Sequence, residues 1–412
     1  MKKFSAYSIF ISITTKLVVV SFFAQNLCAA SFSGYTGISG TWTNAPEKKL
    51  ILPMESFLTG QLEFSPFFIV RGEISLRPDN VLDTGLLNDT DTTFRVNEFS
   101  GTFRACTDYF THFLAVFMGS YESIGSDVFM QRHFGTKPFT SRLTENWRGL
   151  SEPNIYEIRK YGISYVLQPT INSAAGVYFY TQNGKNADGN STREYDGDVR
   201  LAFSSRVFKI DLAGGIGIPL DDIRGQDEDA IFSIKSINVH YGTNMLIKPS
   251  DRFELFLQHG IKQITFAPQK SSSPTIDDDD LFLLLEPRFF FGNSSKITAS
   301  LYQLPSETVL YSVFLYGVLG ADISYSNSGI AFGNHEVEAG FHLGAAYSEL
   351  RLTDMAHLFT SRKLTDYSFS PYLDFQFGRA VLKTSYSIDV RTDYMSMPDF
   401  FTKLTLGFKT AF

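Results

Sequence analysis

Residues 57–77 read FLTGQLEFSPFFIVRGEISLR, and their alternation decides the fold. Leu58, Gly60, Leu62 and Phe64 fall on one side of an extended chain, with Thr59, Gln61 and Glu63 on the other. Ser65-Pro66 interrupts the pattern at a position where a proline costs no ladder hydrogen bond. Phe68, Val70, Gly72, Ile74 and Leu76 then share one face, opposite Arg71, Glu73, Ser75 and Arg77. Successive side chains of a strand point to opposite faces, so the stretch predicts a hairpin with one apolar and one charged face.

The same two-faced pattern recurs outward from this hairpin. Phe208, Ile210, Leu212, Ile216 and Ile218 alternate with Lys209 and Asp211, and Leu382, Tyr386, Ile388 and Val390 with Lys383, Ser385, Ser387, Asp389 and Arg391. Short turn signals at Ser65-Pro66, Cys106–Tyr109, Ser205-Arg206 and Gly378-Arg379 take turns with long polar stretches near 78–93, 121–157, 219–230 and 349–367. Short loops at one end and long ones at the other predict a transmembrane antiparallel β-barrel of about eighteen strands, with fourteen to sixteen as the alternative. Boundaries blur over 308–336, where strands are expected at 308–324 and 337–348, and the first segment, 33–43, reads as a strand or an internal plug. In hydrocarbon every backbone polar group must be bonded internally, so strands that face lipid have to close into a barrel.

Composition agrees. The chain has 412 residues with 40 Phe and 20 Tyr but only 19% charged residues, and no uncharged apolar run approaches the ~20 residues of a spanning helix. Residues 1–30 carry Lys2, Lys3 and Lys16, the apolar stretch Leu17–Ala24, and Cys28-Ala29-Ala30. This predicts a secretory signal peptide cleaved after Ala30, leaving 31–412 as the barrel. Without those three lysines the mature chain keeps 33 basic against 43 acidic residues, a net charge of about −10 that excludes nucleic acid as a partner. Cys106 is then the one remaining cysteine, so no internal disulfide holds the export product together.

The last segment, Lys403-Leu404-Thr405-Leu406-Gly407-Phe408-Lys409-Thr410-Ala411-Phe412, resembles the C-terminal insertion signal of bacterial outer-membrane β-barrels. Thr405, Gly407, Phe408 and Phe412 match that signal, whereas Thr410 stands where a hydrophobic residue is usual. The resemblance implies placement in the cell outer membrane, with outer-membrane lipid, the barrel insertion machinery and small solutes as partners; a homo-oligomer is compatible with it. At about 21 residues per predicted strand the chain is more similar to porins than to the larger-looped long-chain fatty-acid transporters. The Asn-Pro-Ala motif of the latter is absent in order, since the residues here run Asn44-Ala45-Pro46.

The charged faces name the pore-lining candidates: Arg71, Glu73, Arg77, Glu98, Arg104, Arg200, Lys209, Asp211, Glu254, Lys383 and Asp389. Mixed charge on the inner face predicts a hydrated lumen and a porin-like channel for diffusion or uptake of small polar solutes. The alternatives are a transporter of hydrophobic compounds, which needs apolar residues inside, and a surface-exposed structural or adhesive barrel using its acidic loops. The stretch 121–157 sets Arg132, His133, Lys137, Arg142 and Arg148 among Phe129, Phe134, Phe139 and Trp147. A loop of this length and aromatic content is expected either to fold inward as a constriction, where its charges act on solutes at close range, or to remain outside as a solvated loop. Asp277–Asp280 lack the spaced ligands of a cation cage and read as a solvated tip. No Gly-x-Ser-x-Gly elbow, Cys-x-x-Cys pair or phosphate loop occurs, so neither catalysis nor a cofactor nor a metal is expected.

Overall fold

The computed structural model describes residues 31–44, 50–78, 80–81, 92–144, 155–185, 191–222, 232–234, 236–267, 275–276, 278–305, 308, 310, 319–332, 335–347, 365–392 and 399–412. The expected leader 1–30, Trp147, Arg148 and Asp277 lie outside these residues. Eighteen long strands form the wall: β1 Ser31–Asn44, β2 Met54–Ser65, β3 Phe68–Pro78, β4 Thr92–Cys106, β5 Thr111–Gly119, β6 Tyr161–Thr170, β7 Ser173–Lys185, β8 Ser191–Ser204 and β9 Phe208–Asp222, then β10 Ile237–Ser250, β11 Phe253–Phe266, β12 Leu281–Phe291, β13 Ser295–Gln303, β14 Leu319–Phe332, β15 His335–Tyr347, β16 Thr365–Phe377, β17 Ala380–Thr392 and β18 Asp399–Ala411. Each pairs antiparallel with the next. The last pairs with the first from Tyr35↔Ala411 to Thr43↔Lys403, which leaves the sheet without an edge.

Segment 33–43 is therefore a wall strand, not a plug. The strand expected at 308–324 differs in the structure: 308 and 310 are not in a strand, 311–318 lie outside the described residues, and the described strand, Leu319–Phe332, runs eight residues past the expected end. Ser326-Asn327-Ser328-Gly329 carries turn chemistry, yet it stays in the ladder because a bulge between Asn327 and Ile330 absorbs it. Gly329 N donates to Asn327 Oδ1 at 2.8 Å, so the Asx geometry forms inside the strand.

Period two sorts the side chains by solvent. Phe94, Val116, Val199, Leu301 and Ile323 on the outer face are each more than half exposed, an arrangement that only lipid makes favourable at about 25 cal/mol per Å² of apolar surface. The inner face differs from the hydrated ladder expected. Phe117, Tyr178, Phe256, Phe282 and Leu284 point inward and join one buried cluster with Ile124, Phe129, Met130, Phe139 and Leu143. Those last five come from the connection between β5 and β6, so part of the lumen is filled by the chain itself.

Candidate functional site

The connection turns inward at Gly119, whose φ of +88° leaves no room for a side chain: a Cβ would sit 2.4 Å from Asn97 O. Ser120 N donates to Asn97 O at 2.7 Å and Tyr121 N to Ile158 O at 2.9 Å, so the outgoing limb is paired with the returning one. An isolated bridge, Ile124↔Tyr156, continues this pairing. A short helix, α1 Val128–Phe134, follows and ends at Gly135 in the left-handed conformation, with Gly135 N bonded to Gln131 O. Val128, Phe129 and Met130 on α1 are buried. Burying a phenylalanine of this kind contributes about 1.5–3 kcal/mol.

Wall side chains hold the limb by its backbone. Arg200 donates through Nη1 to Glu122 O, Gln258 to Gly125 O at 2.5 Å and Asn244 to Ser126 O at 3.1 Å. Arg288 donates to Phe139 O at 3.0 Å and Thr140 O at 3.1 Å. These donors stand on β8, β10, β11 and β12 and satisfy carbonyls that would otherwise be buried without partners. Arg200 itself forms a fork with Asp211, at 2.7 Å from Nε and 2.5 Å from Nη2, beneath the Phe129 ring.

Ion pairs fix the two ends. Arg132 lies 2.5 Å from Glu98 on β4 and 3.8 Å from Glu122, and His133 Nε2 lies 3.1 Å from Glu122 Oε1. Burial would raise the Glu122 carboxyl, but His133, Arg132 and Arg200 together outweigh it and hold the group down at about 2. At the other end Arg142 pairs with Glu338 on β15 and Asp374 on β16, each at 2.6 Å, with its guanidinium 3.9 Å above the Tyr372 ring. Ser141 donates to Glu286 on β12. The segment thus runs through the barrel interior from β4 to β16.

The pore-lining candidates stand on inward rows. Glu73 accepts from Thr59 Oγ1 at 2.9 Å and Asn97 Nδ2 at 3.1 Å, Arg77 pairs with Glu55 at 2.5 Å, and Glu254 lies 3.3 Å from Lys248. Lys209 sits 5.2 Å from the Phe139 ring centre. Arg71 donates to Gln61 Oε1 at 2.6 Å, Arg104 lines a recess described below, and Asp389 is fully buried, with Lys383 inward on the same strand. Lys137 is exposed. The sequence reading omitted Glu122, Glu338 and Asp374, which pair with Arg132, His133 and Arg142, and the Glu286–Arg288 pair on β12. It also omitted the row Glu194, Asp196, Asp198 on β8, where Tyr156 stacks on His240 at 3.7 Å and His240 lies 3.0 Å from Asp198. The period-two run Glu194-x-Asp196-x-Asp198-x-Arg200 was the available signal for that row. Among the described residues no group of three or more His, Cys, Asp or Glu is arranged to hold a metal ion.

No family model matches the sequence, and no curated protein does. Solved structures do resemble the fold. The outer membrane protein opdK from Pseudomonas aeruginosa superposes with a TM-score of 0.50 at 8% identity, covering 93% of this chain and 99% of its own. OccK5 (OpdH) of the same organism gives 0.48 at 10% identity, over 92% and 98%, and an anion-selective porin from Comamonas acidovorans 0.41 at 9%, over 93% and 99%. What the chain shares with these structures is the fold: a closed antiparallel β-barrel of eighteen strands, with porin-like architecture.

Proposed function

We propose that the protein is a passive channel for small polar solutes across the outer membrane, narrowed by residues 120–144. One observation carries this reading: a charged segment is ion-paired to the wall at both ends, through Arg132–Glu98 and Arg142–Glu338/Asp374. Charges held inside a low-dielectric wall act on a passing solute at short range, where salt screens them least. The apolar side chains inside the barrel do not favour a carrier of hydrophobic compounds, because the segment's own Phe129, Met130 and Phe139 cover them.

Planar-bilayer recording tests the proposal. Removing residues 127–144 is expected to raise single-channel conductance severalfold. Arg142→Gln is expected to shift the reversal potential toward cations, since it leaves Glu338 and Asp374 uncompensated. A folded barrel with no conductance sinks the channel reading; unchanged conductance in the shortened variant sinks the constriction.

A further inference from the structure

Just above the short turns, strands β2–β6 and helix α1 enclose a recess of about 510 Å³. The register builds it. Gln61 lies opposite Arg71 on β2–β3, Ile69 opposite Thr102 on β3–β4, and Arg104 opposite Phe113 on β4–β5. Arg132 and His133 close it from α1, their side chains 7% and 5% exposed. The lining holds three guanidinium groups, of Arg71, Arg104 and Arg132, against two carboxylates, of Glu63 and Glu122.

Its donors outnumber its acceptors. Arg104 Nε and Arg132 Nε and Nη1 are buried donors without a hydrogen-bond partner, and the Thr102 hydroxyl is unpaired beside them. Both lining carboxylates and the Gln61 amide oxygen already accept hydrogen bonds. Gln61 Oε1 takes Arg71 at 2.6 Å and Glu63 takes Gln61 Nε2 at 2.6 Å; Glu122 takes His133 at 3.1 Å and the Tyr178 hydroxyl at 2.7 Å. Buried polar groups in folded proteins are nearly always satisfied, so a cluster of unmet donors around one recess calls for an acceptor from outside. Ile69, Phe113 and Val128 supply an apolar side to the same space.

We infer that this recess is a binding site for small organic carboxylates. The planar pair of carboxylate oxygens meets a guanidinium fork with two parallel hydrogen bonds, and the apolar side receives the carbon skeleton. The inference deepens the channel reading by naming a solute class, and rests on that reading only for passage; binding itself needs no current.

The test titrates the full-length, detergent-purified barrel with succinate by calorimetry. Saturable binding is expected, absent for the neutral analogue succinamide and weakened about tenfold or more by Arg71→Gln with Arg104→Gln, a difference of about 1.4 kcal/mol. Lys296→Gln, on the opposite wall, leaves it within about twofold. Should the double variant lose its heat-modifiable mobility, Arg104→Lys decides alone: it keeps the charge and loses the fork, and severalfold weaker binding is expected. No saturable binding, or an affinity unmoved by these arginine changes, overturns the proposal. So does inorganic phosphate binding tenfold tighter than succinate, which makes this a phosphate site. Conductance in potassium chloride without carboxylate tests the channel reading separately, so the two can fail independently.

Discussion

Arg200, 1% exposed on the inner face of β8, shows what a single buried charge requires. Asp211 forks with it, Phe129 covers it, and Glu122 O takes a third hydrogen bond from it. Removing one partner of such a pair leaves the other charged and desolvated. Arg200→Met is expected to lower urea stability in vesicles by about 3–5 kcal/mol, and Arg200→Met/Asp211→Leu to recover most of the loss. A double variant as unstable as the single one would mean that the pair holds more than itself. The inward placement of both residues was legible, because period two assigns every strand residue a face. Their partnership was not, since it joins neighbours diagonal to each other in the β8–β9 hairpin register, where Arg200 faces Ala213. Face assignment has its own test. Val70 and Arg71 are adjacent on β3 and point to opposite sides. Val70→Arg puts a charge toward lipid at a cost of roughly 2–4 kcal/mol near the midplane, and assembled yield should fall far more than for Arg71→Val. Equal losses would reverse the faces.

Strand elements follow from local chemistry, and the crossing segment does not. Alternation and turn residues gave the wall, apart from the bulged strand Leu319–Phe332, where Asn327–Gly329 imitates a turn. The segment's aromatic and basic composition marked it as distinctive, but its destination depends on acids 145–232 residues away, Glu286, Glu338 and Asp374. No window of sequence carries that information. Glu122 ties the segment together near its start, and its titration gives a condition under which the element loosens. The carboxyl is held down at about 2 against an ordinary 4.5. A depressed folded value means the stabilisation is complete above about 4.5 and is lost as pH falls toward about 2. Protease cleavage of the crossing segment in vesicles should therefore stay constant from pH 7 to about pH 4.5 and rise below it. Glu122→Gln should raise cleavage already at pH 7. A flat profile down to pH 2 would detach Glu122 from the anchoring.

For the whole molecule, closure is the event on which every other contact depends, because an open sheet in lipid leaves two edges of unpaired backbone. The seam between β1 and β18 has chemistry that the final residues of the sequence already suggested. Phe412 N donates to Gly34 O at 3.0 Å, and its ring stacks on Phe32 with centroids 5.2 Å apart. Gly34 makes this seat: a Cβ there would lie 2.2 Å from Thr59 O and 2.7 Å from Phe412 Cζ. The glycine on the first strand was not legible as the partner of the terminal phenylalanine, since the two meet only when the ring closes. The terminal residue thus contributes one backbone bond and one stacked ring at the joint that closes the barrel. Deleting Phe412 is expected to reduce the fraction of heat-modifiable, membrane-assembled protein severalfold while leaving export unchanged. Gly34→Val, which crowds the same joint from the other side, should reproduce the defect with Phe412 present. The two changes act on one contact, so combining them should add little to either alone. Additive losses would indicate that Phe412 works through recognition during insertion, separately from the packing at the seam.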